Sequence, residues 1–229
     1  MKKLIALMLL PGLLFLHSCE LLEGAGLTDE EVVAGLKEAL EVGSQKSVTK
    51  ANAPDGYNAN PKIRIPFPED MNNVQTVVGA VPGGTAAIDL FVEKLNRTAE
   101  DAADETLPIF VDAITNMTID DGMNILLGHD SAATEFLRVN TYDNLKTAFR
   151  PDVENSLNRV GAQNAWNTVI NYYNNIPLTP PVNPDLADYT TGKALDGLFT
   201  LVSEEETLIR EDPAARVSEL LQKVFAEQD

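Results

Sequence analysis

Cysteine, histidine and positive charge are all scarce in this 229-residue chain, and each scarcity removes a class of chemistry. The one cysteine, Cys19, cannot form an intrachain disulfide or a multi-cysteine zinc site. If Cys19 is lipidated, no thiol remains as a nucleophile. Of the two histidines, His17 precedes Cys19, so a mature chain beginning at Cys19 keeps only His129. A histidine-rich metal site within one chain is thereby excluded, and a Ser-His-Asp triad would have to use His129. Lysine and arginine number 17 against 35 aspartates and glutamates, a net charge of −18. Such a charge argues against a nucleic-acid partner and against lying flat on an anionic lipid surface. Sustained strand alternation and repeats of fixed period are also lacking, and no metal site or cofactor is implied.

What is present begins at the N-terminus. Met1-Lys2-Lys3 is a short basic start, and Leu4 to Leu16 is an apolar stretch interrupted by Pro11 and Gly12. It is too short to span a bilayer, which needs about 20 residues. The stretch ends Leu16-His17-Ser18-Cys19, a lipobox in which only the histidine is unusual. The pattern predicts a bacterial lipoprotein signal over residues 1–18, lipid on Cys19, and a lipidated tether over 19–27. Two or three acyl chains exceed the marginal hold of one, so the anchor would be stable. Removing Lys2 and Lys3 leaves 15 basic against 35 acidic residues, a net of −20 for the mature part. The tether is short: eight extended residues, Glu20 to Leu27, reach only about 26–29 Å.

Beyond the tether the periodicity is helical, and the fold class expected is all-α. The domain is one multi-helix unit over residues 28–226, with about nine or ten helices. Thr28 with Glu31 is a capping box, and Val32, Val33, Leu36, Leu40 and Gly43 follow at helical spacing to about Lys50. Four prolines over residues 51–69 break the pattern, with Lys62-Ile63-Arg64-Ile65 alternating as an extended segment would. Helices follow near Glu69–Gly79 and after the Pro82-Gly83-Gly84 turn, where Ile88, Phe91, Val92 and Leu95 make one face. Thr118 with Asp121 makes another capping pattern, leading into Met123, Leu126 and Leu127. Asp130 is expected to cap the segment carrying Phe136 and Leu137. Thr141 is expected to cap a separate one ending near Arg150-Pro151, and Val153, Leu157 and Val160 form a further face. A second proline-rich irregular stretch covers 176–188. Leu195, Leu198, Phe199 and Val202 mark the next helix, and Val217, Leu220, Leu221 and Val224 the last.

Several of these segments carry a resemblance. Asn60-Pro61-Lys62-Ile63-Arg64-Ile65-Pro66-Phe67-Pro68, Pro108-Ile109-Phe110-Val111-Asp112 and Gly128-His129-Asp130-Ser131 through Arg138 are similar to motifs of one bacterial family. So are Ala194-Leu195-Asp196-Gly197-Leu198-Phe199, Glu204-Glu205-Glu206 and Pro213-Ala214-Ala215-Arg216. From about Leu27 to Phe225 the chain resembles the family called domain of unknown function 4197. The resemblance implies a single folded unit and envelope placement, and brings no reaction, ligand or catalytic residue.

The candidate ligand-binding residues are Arg64, Asp130 and Arg138. Asp130, Thr134 and Arg138 lie at i, i+4 and i+8, close to one helical face. Arg64 stands among isoleucines in an irregular segment. The arginines at 64, 138, 150, 159, 210 and 216 mostly suit tying loops to helix ends or carboxylates, and fewer suit holding an anionic ligand. His129 suits a turn, and Asp120-Asp121 and Glu204-Glu205-Glu206 suit capping and solvation better than metal binding. The Asn-x-Thr triplets at Asn96 and Asn116 carry no weight in a bacterial chain. No catalytic residue is assigned. The function expected is a non-enzymatic binding or interaction module, lipid-anchored to a membrane of the bacterial envelope, periplasmic or surface-facing. Its partners would be the membrane through Cys19 and an envelope protein or small ligand. The alternatives are a carboxylate- and arginine-based hydrolase or lyase, and a structural envelope lipoprotein.

Overall fold

Thr28 starts the first helix by a reciprocal cap. Its hydroxyl accepts from the Glu31 amide at 3.2 Å, and the Glu31 carboxylate accepts from the Thr28 amide at 3.0 Å, satisfying two donors that a bare helix end would leave orphaned. This computed structural model describes residues 28–226 except 119, 120, 123, 124, 126, 127 and 183. The expected signal, Cys19 and tether therefore lie outside the described residues, as do Asp120, Met123, Leu126 and Leu127. Every regular element among the described residues is a helix or a 3₁₀ turn, so the chain is all-α.

The helices are α1 (Asp29–Asn52), α2 (Asn72–Gly79), α3 (Gly84–Ala102), α4 (Leu107–Thr115), α5 (Ala132–Arg159), α6 (Ala162–Asn174), α7 (Leu186–Glu211) and α8 (Glu219–Phe225). Short 3₁₀ turns cover Glu69–Met71, Ala103–Thr106 and Pro213–Ala215. Gly83 and Gly161 hold φ of 80° and 78° at the starts of α3 and α6, a left-handed conformation that glycine adopts without a Cβ penalty.

α7 is the central helix, flanked by α1 and α5. Leu195, Leu198, Phe199, Leu201 and Val202 are buried on it, so its inner surface covers more than one stripe. α1 runs antiparallel to it. Gly43 lies against Val202 and Glu205, Lys50 pairs with Glu205, and Tyr57, beyond the end of α1, donates its hydroxyl to the Ala194 carbonyl at 2.6 Å. Toward its start, α1 meets α8 instead, with Gly35 against Val224 and Glu31 paired with Lys223 at 2.9 Å. One buried cluster runs from Val32 to Phe225. No helix among the described residues is long and apolar enough to cross a membrane.

The segment between α1 and α2 alternates as its sequence suggests. Ile63, Ile65 and Phe67 are buried while Lys62, Arg64 and Pro66 face outward. Asn96 of α3 takes the place of a neighbouring strand: its Oδ1 accepts from the Ile65 amide at 2.7 Å and its Nδ2 donates to the Ile65 carbonyl at 2.8 Å. Phe67 then joins Phe91 and Trp166 in an aromatic cluster with centroid separations of 5.0–6.1 Å.

Two expectations are corrected here. Residues 132–159 form one helix, not separate pieces divided at Thr141 and Pro151. Leu145, Phe149, Val153 and Leu157 make a continuous buried face across the proline, and that burial offsets the lost hydrogen bond. Thr141 sits inside the helix and donates its hydroxyl to the Leu137 carbonyl at 2.5 Å. Asp130 does not cap this helix either. The residue in cap position is Ser131, whose side chain makes no cap bond. The Ala133 and Thr134 amides donate to the carboxylate of Glu206, at 3.0 and 2.8 Å.

Candidate functional site

One helical face of α7 carries Lys193, Asp196, Thr200, Ser203, Glu204 and Thr207. The 62–66 segment, a turn at Lys62 and Ile63 followed by irregular chain, borders one side of this face, and the first turns of α5 border the other. Three adjoining cavities make a groove along it. A 190 Å³ cavity lies between Arg64, Lys193, Asp196 and Thr200. One of 460 Å³ shares Thr200 and continues past Arg138, Phe199 and Ser203. The third, of 350 Å³, runs from Ser203 and Glu204 to Thr207 and Leu208.

The structure brings two of the three candidate residues into this groove and the third to its edge. Arg64 is exposed and its Nε donates to the Asn58 carbonyl at 3.1 Å. Arg138 forms an ion pair with Asp196, and its guanidinium lies 5.0 Å from the Tyr142 ring centroid and 5.4 Å from that of Phe199. It is thus both paired and stacked, the use for which a planar guanidinium is suited. Asp130 borders the far end, where its backbone carbonyl accepts from the Thr207 hydroxyl at 3.4 Å. The expected face of Asp130, Thr134 and Arg138 does not form a single ligand pocket. Thr134 is buried and donates its hydroxyl to Glu206 at 2.7 Å, whereas Arg138 turns to Asp196. His129 sits in an exposed turn, its Nε2 2.9 Å from a Glu135 carboxylate oxygen.

Behind the groove the three consecutive glutamates diverge. Glu204 is partly exposed and pairs with Lys62. Glu205 is buried between Lys46 and Lys50 of α1. Glu206 is buried against Arg210, with Oε1 2.9–3.0 Å from two guanidinium nitrogens. Capping suits Glu206, but solvation describes neither Glu205 nor Glu206. Arg210 also donates to the Ile125 carbonyl at 3.2 Å, and Arg216 donates to the carbonyls of Ile209 and Arg210 at 2.9 and 2.7 Å. These two arginines tie loops to helix ends, as the sequence suggests.

The electrostatics of the groove are set around Asp196. Tyr142 donates its hydroxyl to Asp196 at 3.2 Å, and its phenol is pushed up to about 12, first by burial and then by the Asp196 charge. Tyr189, whose hydroxyl donates to the Pro66 carbonyl at 3.0 Å, is likewise raised to about 12, chiefly by burial. Tyr57 is raised further, again by burial first. Arg138 neutralises Asp196, and Lys62 neutralises Glu204. Arg64 and Lys193 have no described carboxylate within ion-pair distance. No group of three or more metal-ligating side chains occurs among the described residues.

A second depression of 480 Å³ lies between α4 and α5, with Asp112, Asn116, Asp121 and Asn140 around a floor that includes Phe136 and Leu137. No basic residue lines it.

Asn96 and Glu100 are the residues that sequence reasoning missed. Glu100 is buried and accepts from the amides of Tyr57 and Asn58 at 3.1 and 3.0 Å, with Arg97 at 2.7 Å on its other oxygen. Together they set the path of the segment that carries Arg64. Their only local signal is position: Asn96 lies four residues after Val92 and Glu100 four after Asn96, on a helical face where apolar residues would be expected.

The model of a family described as protein of unknown function (DUF4197) matches residues 26–226, and the chain belongs to that family. No curated protein and no solved structure matches it.

Proposed function

We propose that this family member is a lipid-anchored, non-enzymatic binding module of the bacterial envelope, holding a ligand or partner in the groove along α7. The observation that carries the reading is that Arg64 and Lys193 line one end of that groove with no described carboxylate in ion-pair reach, in a chain with 17 basic residues against 35 acidic ones, while Lys62 and Arg138 beside them are paired with Glu204 and Asp196. Ordinary solvation of an acidic surface does not call for such a pair. The hydroxyls of Thr200, Ser203 and Thr207 add polar groups along the floor. The lipobox ending at Cys19 supports the anchor.

The contacts favour binding over turnover. A reaction run by a carboxylate and an arginine needs the two converging on one substrate atom. Here Arg138 is engaged by Asp196 and His129 by Glu135, while Asp130 presents its backbone carbonyl to Thr207.

Two measurements test the proposal. Cys19→Ala should release the protein from membranes or leave it unprocessed, and unchanged processing with unchanged membrane fractionation overturns the anchor. A photo-crosslinking residue at Ser203, in the lipidated chain in native membranes, should capture one reproducible species. The same residue at Thr168, exposed on α6, should not. Equal capture at both positions, or none at Ser203, overturns the groove as the binding face.

A further inference from the structure

We infer that the Arg64–Lys193 end of the groove binds an oxyanion, the terminal phosphate or carboxylate of a soluble ligand; this deepens the binding-module reading and rests on it. Arg64 is a prepared fork. Its Nε is held by the Asn58 carbonyl at 3.1 Å, and its Nη1 and Nη2 have no hydrogen-bond acceptor among the described residues. Those two nitrogens form the edge that meets carboxylate and phosphate oxygens in parallel.

The support beneath that fork is buried. Asn58 is fixed because its amide and that of Tyr57 donate to Glu100, at 3.0 and 3.1 Å. On the other side of Arg64, both backbone groups of Ile65 are bonded by Asn96. Ile63 and Ile65 pack inward, so the residue between them has to point out. Such pre-organisation lowers the ordering cost of binding.

Lys193 supplies the second cation from α7. It is half-buried, and its Nζ lies 6.0 Å from the Tyr189 ring centroid. Tyr189 is tied to the Pro66 carbonyl, so one contact places both the lysine and the segment that bears Arg64. Asp196 lines the same 190 Å³ cavity, but Arg138 offsets its charge. The cavity has room for about six waters' share of volume, enough for an oxyanion and its bridging waters.

The chain's net charge of −18 favours a soluble source over the anchoring bilayer, because it opposes close approach to an anionic lipid surface.

The test uses the full lipidated chain in phosphatidylcholine vesicles, titrated calorimetrically with inorganic phosphate and with succinate. Saturable binding of at least one is expected. Arg64→Gln and Lys193→Gln should each weaken it about tenfold or more, as expected for a lost charge-assisted hydrogen bond. Arg64→Lys should recover only part of the loss, because an ammonium lacks the fork, and Asp196→Asn should tighten binding. Phosphatidylglycerol in the vesicles should leave the phosphate affinity unchanged. Competition by it that Arg64→Gln abolishes would overturn the soluble source in favour of a lipid headgroup. No saturable binding of either anion, or equal affinity in all variants with native circular dichroism, overturns the site. Reproducible crosslinking at Ser203 alongside that result would leave the groove reading standing and only the anion assignment lost.

Discussion

On the inner side of α7, Glu206 and Arg210 are 3% and 6% exposed, and every carboxylate oxygen of Glu206 has donors from α5 or Arg210. On the outer side, Arg64 and Lys193 line a cavity with no described carboxylate in ion-pair reach. The same residue types thus do opposite things on two faces of one helix. Burial makes an unpaired charge costly, so the inner charges are consumed by the fold. Solvent removes that penalty, so the outer cations persist unpaired and are available to a ligand.

The largest way to break this contrast is on the inner side. Glu206→Gln removes the buried carboxylate charge that faces Arg210 and weakens the bonds that cap α5, and should cost about 3–5 kcal/mol in urea denaturation. A cost below about 1 kcal/mol would mean the inner cluster does not hold α5 to α7.

A smaller effect tests whether the outer face depends on inner support. Asn96→Ala leaves the Ile65 amide and carbonyl without their buried partner and should cost about 1–3 kcal/mol. It should also loosen phosphate binding, although Asn96 is buried beneath the segment and never faces the cavity. Lost stability with unchanged binding would separate the two faces.

Alkaline pH should give a third, lesser loss. Tyr142 and Tyr189 titrate near 12 in the folded chain against an ordinary value of 10.0, so folding favours their neutral forms. Their contribution is therefore complete below pH 10 and declines as pH rises from about 10 to 12. Because both rings are partly exposed, solvent screening leaves each worth about 1 kcal/mol. Tyr142→Phe should flatten part of that decline in denaturation midpoints measured from pH 8 to 12; an unchanged slope would mean that folding does not raise the Tyr142 phenol.

The smallest effect is expected at His129. His129→Gln should change stability by less than about 0.5 kcal/mol, since its pairing with Glu135 is exposed. A larger change, or any change in phosphate affinity, would draw the 128–131 turn into the site.

How much of this was legible in the sequence depends on how far each residue's partner lies along the chain. The Thr28–Glu31 cap and the buried alternation of Ile63, Ile65 and Phe67 could be read because their causes are local. Arg64 and Arg138 stood out as cations in an acidic chain, but Asp196, the partner that commits Arg138, lies 58 residues away. The cap of α5 was misread for the same reason: Asp130 is the nearby candidate, whereas Glu206, 73 residues beyond Ala133, makes the bond. Pro151 and Thr141 read as breaks because local propensity is all a sequence window contains, and burial of Phe149 and Val153 outweighs it.

Hydrophobic spacing, scarce cysteine and an excess of acid determined by themselves an all-α chain without disulfides, and these properties depend only on composition and near neighbours. Which glutamates became buried caps, and which arginine remained free to bind, was decided only when α1 and α5 closed on α7. A charge's cost is set by its distance from water and from its partner, and both distances exist only in the folded chain.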